Sequence, residues 1–130
     1  MTKEQHIDYW IKTADEDWLS VEVLLKTGRY MHCLFFAHLT IEKIAKAHWV
    51  KNHEDNIPPK IHNIVWLLEE SNVNLDKDMV TFLLQFNRFQ LSTRYPDYMN
   101  KIYHICTEIF TTQELKKVKE IRICLLEMLQ

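Results

Sequence analysis

One glycine and three prolines in 130 residues leave this chain almost no places to break a helix. Strands joined by tight turns draw on glycine and proline, and this sequence has few of either. The breakers that exist fall in a few places: Gly28, the pair Pro58-Pro59, and Pro96. Long helices with short connections follow, and apolar residues at 47% suffice for one core. The expected fold is all-α: an antiparallel bundle of four main helices plus a short additional helix in the C-terminal region, as one domain over 1–130.

Apolar spacing places the elements. Ile7, Ile11, Ala14, Trp18, Val21 and Leu25 alternate by four and three, which predicts a helix over Lys3–Lys26. Gly28 suits the left-handed cap that ends it. A second helix over Tyr30–Asn52 carries Leu34, Ala37, Ile41, Ile44 and His48 on one stripe. Its run Cys33-Leu-Phe-Phe-Ala37 is apolar nearly all round, more than a small bundle buries by itself, so a homodimer is expected. A third helix is predicted over Ile61–Ser71 and a fourth over Asp76–Leu91. A short one follows around Ile102–Ile109. The last, over Gln113–Leu129, is expected to be capped by Thr112.

Charge and cysteine usage exclude several function classes. The formal net charge is −2, so a general electrostatic grip on nucleic acid is not expected and any such contact must be local. No apolar run is long enough to span a membrane, and the polar start Met-Thr-Lys-Glu-Gln-His does not read as a signal peptide. Cys33, Cys106 and Cys124 are odd in number and far apart, which suits free thiols in the cytoplasm. His32, His38, His48 and His53 lack the spacing of a metal pair, so no metal and no cofactor is expected.

The segment Phe86-Asn-Arg-Phe-Gln-Leu-Ser-Thr-Arg-Tyr-Pro-Asp-Tyr98 is more polar and aromatic than a turn requires. Arg88 and Arg94 are expected to share a polar cleft that holds a phosphate, with Tyr95 and Asp97 shaping the turn that positions Arg94. Glu42, Lys43 and Lys46 fall within one helical turn. They read either as solvated charges with a Glu42–Lys46 pair, or as a set in which Glu42 reaches an arginine of the 88–94 segment. His62, just after Pro58-Pro59-Lys60, reads as a structural hydrogen-bonder or as a lining residue of the same cleft.

Three pieces, Thr40-Ile-Glu-Lys-Ile-Ala-Lys-Ala47, Pro59-Lys-Ile-His-Asn-Ile64 and Asn87-Arg88 with Thr93-Arg-Tyr-Pro-Asp97, together resemble the HEPN domain family. More narrowly, they are similar to small stand-alone HEPN proteins encoded beside minimal nucleotidyltransferases. The resemblance implies a homodimeric helical bundle and a nucleotide- or RNA-phosphate-binding module. It also implies a minimal nucleotidyltransferase as partner in a two-gene, toxin–antitoxin-like system. Active ribonucleases of the family carry an arginine, four to six residues, then a histidine, and cut RNA without metal. Here Arg88 is followed by five residues and then Arg94. Arginine stays protonated at working pH, so Arg94 can hold a phosphate but cannot act as base. Arg88 and Arg94 are the catalytic candidates of the alternative reading, a metal-independent endoribonuclease. A helical scaffold without a ligand is the third reading.

Overall fold

Local capping chemistry sets most helix ends. The computed structural model describes residues 1–130 and contains six α-helices and no strand. Helix α1, Lys3–Lys26, starts in a capping box: Thr2 Oγ1 accepts from Gln5 N–H, and Gln5 Oε1 accepts from Thr2 N–H. It ends in a Schellman motif, where Gly28 N–H donates to Leu25 O and Arg29 N–H to Leu24 O. Gly28 takes φ +74 there, as expected. Helix α2, Tyr30–Asn52, follows at once. Both long helices have the boundaries the sequence predicts.

The later elements depart from expectation, each for a local reason. Helix α3 is Ile64–Glu70, starting three residues late because the Asn63 side chain accepts from Trp66 N–H and acts as N-cap. Asn72 closes it at φ +56 in a second Schellman motif, with Val73 N–H on Leu68 O and Asn72 N–H on Glu69 O. Helix α4 is Lys77–Phe86, capped by Asp76. It does not reach Leu91 but tightens into a 3-10 turn over Asn87–Phe89. Tyr95-Pro96-Asp97 is not merely a turn: Pro96 occupies the first position of helix α5, Pro96–Ile105. Thr107, not Thr112, caps the last helix, α6, Glu108–Met128, by accepting from Phe110 N–H.

Three long helices and three short ones therefore form the bundle. Helix α2 is its axis. Thirteen of its residues are buried, on every face, and it packs against α1, α3, α5, α6 and the 3-10 turn. One core of 24 buried residues runs through the chain, centred on Leu34, Ile41, Ile44, Phe86 and Phe89. Cys33, Leu34 and Ala37 are fully enclosed by the chain's own helices. Most of the apolar run assigned to a dimer surface is therefore absorbed internally, because α2 is surrounded rather than peripheral. No helix is long and apolar enough to cross a membrane.

Candidate functional site

Because α2 is enclosed, its charged residues are enclosed with it. Glu42 is 3% exposed and Lys46 8%. A buried carboxylate is costly unless it is paired and hydrogen-bonded. Glu42 meets that demand from two elements. Lys46 Nζ donates to its Oε2 at 3.1 Å from the next turn of α2. His62 Nδ1 lies 3.2 Å from Oε1 and 3.1 Å from Oε2, arriving from the loop before α3. An ionised carboxylate can only accept, so the hydrogen is on His62 Nδ1.

His38, one turn before Glu42 on α2, extends the network. Its Nδ1 is 3.7 Å from Glu42 Oε1, beyond hydrogen-bond reach, and is buried without a partner. Its Nε2 donates to Asn87 Oδ1 at 3.2 Å, and its ring stacks on Phe86. Burial pushes the proton affinity of His38 down, outweighing the Asn87 hydrogen bond and the Glu42 charge that favour the cation. A neutral His38 thus lies beside the buried carboxylate but is bonded only to the 3-10 turn, through Asn87.

Above this network lies an open cleft lined by His62, Asn63, Asn87, Gln90, Thr93 and Arg94, with no apolar side chain among them. Its volume, about 280 Å³, is at the lower end of ligand-binding cavities, roughly 300–1,000 Å³. That suits a phosphate and its sugar rather than a large cofactor. Arg94 is the permanent cation of the cleft. Its Nε donates to Gln90 O at 3.2 Å, and its guanidinium lies 4.7 Å over the Tyr98 ring, so the plane is fixed while both Nη groups stay unpaired. Tyr98 also donates its hydroxyl to Arg88 O at 2.8 Å, tying α5 to the 3-10 turn.

The other expected site residues lie elsewhere. Arg88 does not line the cleft: its Nη2 is 3.3 Å from Glu114 Oε1 on α6, and its guanidinium packs on Phe89 and Phe110. The shared Arg88–Arg94 cleft is thus replaced by one built on Arg94 and His62. Glu42 is neither solvated nor paired to an arginine. Lys43 forms a 2.7 Å bridge to Asp17 on α1. Lys46 pairs with Glu42 and lies over Trp10, away from the cleft lining. Tyr95 is 82% exposed at the start of α5 and Asp97 sits in its first turn; neither lines the cleft. No three His, Cys, Asp or Glu side chains are placed to hold a metal ion.

Sequence reasoning singled out the 86–98 segment but gave no site role to its Asn87, Gln90, Thr93 or Tyr98, nor to Asn63 or His38. The N-cap preference of asparagine offered a signal for Asn63, and the i,i+4 spacing of His38 and Glu42 another. A larger cavity, about 520 Å³, lies between the α1–α2 turn and the α5–α6 junction, lined by Arg29, His32, Tyr103 and His104 among others. Those side chains make no hydrogen bond to a buried group, whereas the smaller cleft stands on a buried polar network. The smaller cleft is the better candidate on that ground.

Comparison with known proteins agrees with this architecture. The sequence matches the family described as HEPN domain over residues 7–128. The fold is similar to the crystal structure of TT1696 from Thermus thermophilus, with a TM-score of 0.76 at 19% identity, covering 93% of this chain and 96% of that one. At that identity the likeness concerns the fold. A comparison with curated proteins finds no match.

Proposed function

The chain belongs to the HEPN domain family, and from that membership we propose that its cleft binds a phosphate-bearing nucleotide or RNA segment. One observation carries this reading: an arginine with both Nη groups unpaired opens into a cleft whose lining is entirely polar. A planar guanidinium matches two phosphate oxygens at once. Asn63, Asn87, Gln90 and Thr93 add donors and acceptors for sugar and base edges. With a net charge of −2, the contact is local and short. The finer reading, a homodimer paired with a minimal nucleotidyltransferase in a two-gene, toxin–antitoxin-like system, rests on the narrower resemblance of the motifs.

Titration with adenosine 5′-monophosphate and with a mixed-sequence single-stranded RNA tests the reading. Arg94→Ala weakens binding by about tenfold, or ~1.4 kcal/mol, and Arg94→Lys also weakens it because the planar fork is lost. Binding unchanged by both substitutions removes the site and leaves the ligand-free scaffold. Co-purification from cells expressing the neighbouring gene tests the partner.

A further inference from the structure

Resting on the reading of the cleft as a phosphate site, we infer that the phosphate it takes is a terminal monoester, that of a mononucleotide or of an RNA end, and not a diester within a strand. The three amide side chains of the lining all have their oxygens engaged by the protein. Asn63 Oδ1 accepts from Trp66 N–H at 3.1 Å. Gln90 Oε1 accepts twice, from Ser92 N–H at 3.0 Å and from Ser92 Oγ at 2.8 Å. Asn87 Oδ1 accepts from His38 Nε2 at 3.2 Å. A backbone N–H can only donate, so for Asn63 and Gln90 the bond itself identifies the oxygen. Each amide is left with its NH2 group for a ligand. Asn63 is exposed, and the Asn87 and Gln90 side-chain nitrogens make no hydrogen bond yet are not sealed from solvent.

Arg94 adds both Nη groups, its Nε being held by Gln90 O. Four side chains therefore offer donors to one space. Acceptors are few: Thr93 Oγ1 and, in the neutral ring, the His62 nitrogen turned away from Glu42. No carboxylate is in the lining. The bonds that engage the oxygens also hold the donors still. Asn63 is the N-cap of α3, Gln90 is clasped by Ser92, and Asn87 rests on a fully buried His38.

A donor-rich space selects for oxygen count and charge. A diester carries two non-bridging oxygens, which a single guanidinium fork occupies. The amide donors are then left to sugar hydroxyls and base edges, which carry donors of their own and find few acceptors here. A donor enclosed without an acceptor costs its solvation. A monoester presents three terminal oxygens and a charge of about −1.5 to −2 at pH 7. Its third oxygen and its extra charge are what the amide N–H groups can use. Phosphate binding alone needs only Arg94.

The test is titration of the full chain with adenosine 5′-monophosphate and with adenosine 3′,5′-cyclic monophosphate. The two share base and sugar and differ as monoester and diester. One mixed-sequence single-stranded RNA is titrated beside them, with a phosphate at its 5′ end, at its 3′ end or at neither. The 5′-monophosphate binds at least about tenfold tighter than the cyclic form. Preference for one phosphorylated end assigns the site to that end of a strand, and weak binding of all three RNAs assigns it to the mononucleotide. Asn63→Ser keeps a capping oxygen but removes the NH2 group, and it narrows the advantage of the monoester. Asn63→Asp also keeps the cap, sets a negative charge in place of the donor and abolishes the advantage, with helix content unchanged by circular dichroism. Equal affinity for the two nucleotides overturns the inference and leaves the phosphate site standing. Tight binding of the RNA with neither end phosphate does the same, as does an advantage that Asn63→Asp leaves intact. Absence of binding of every probe by the wild type removes the underlying reading instead.

Discussion

The Arg88 guanidinium lies 3.3 Å from the Glu114 carboxylate on α6 and rests on the rings of Phe89 and Phe110. The first arginine of the 88–94 segment is thereby a tether between the 3-10 turn and the last helix. Its side chain is 35% exposed, so the ion pair itself counts for little and the ring packing for more. Arg88→Ala is expected to destabilise the fold by about 1–2 kcal/mol, read from urea midpoints, and to leave RNA affinity unchanged. A loss of affinity matching that of Arg94→Ala would return Arg88 to the site.

Gly28 tests the helix cap by itself. A Cβ added there meets nothing closer than the Tyr30 hydroxyl at 3.9 Å, an ordinary contact. The penalty of Gly28→Ala is therefore the backbone's, for an L-residue at φ +74. It should be about 1–2 kcal/mol, with the α1–α2 packing intact by chemical shift. Neutral or stabilising behaviour would contradict the positive φ.

Acid should weaken the fold through its buried histidines. His48 is 2% exposed and donates Nε2–H to Leu125 O at 2.9 Å. Burial pushes its proton affinity below the ordinary value of 6.5, as it does for His38, while the Leu125 carbonyl works the other way. The unfolded chain takes up these protons at the ordinary value and the folded chain resists. Stability is thus fully present above about pH 6.5 and declines as pH falls through the window beneath it. Urea midpoints measured from about pH 7.5 to about 5.5 should fall, and more gently for His48→Gln. An identical slope in that variant would clear His48 of the effect.

A homodimer remains our proposal, on a different surface from the one expected. Leu19 and Val23 on α1 are 56% and 60% exposed, beside a half-buried Phe36. Sedimentation at tens of micromolar should show a dimer, and the double variant Leu19→Glu, Val23→Glu should be monomeric with its helix content intact. A dimer that survives both charges places the interface elsewhere; a wild-type monomer ends the proposal.

Much of the site was legible residue by residue but not as an arrangement. His62 and Arg94 were both singled out, and Glu42 too, yet neither of the partners expected for Glu42 included His62. The i,i+4 rule correctly links Glu42 to Lys46, since both lie on one helix. It is blind to whether that turn faces water. Arg88 and Arg94 look equivalent in sequence, but one meets the rings of Phe89 and Phe110 and the other the ring of Tyr98.

What the sequence determined by itself is whatever depends on neighbours within a turn or two. The extents of α1 and α2 follow from apolar periodicity, the capping box at Thr2 and the φ freedom of Gly28. Even the late start of α3 at Asn63 and the cap at Thr107 are local chemistry, readable from side chains that accept from the third residue onward. Tertiary structure decided which face of each helix is dry. Enclosing α2 on every side turned Glu42 from a surface charge into a buried carboxylate that must be paired, and the pairing drew in His62 across 20 positions of sequence. Helical hydrogen bonds are short-range and reward local spacing, whereas burying a charge imposes a demand that any element within reach can meet. The candidate site is where that demand was met.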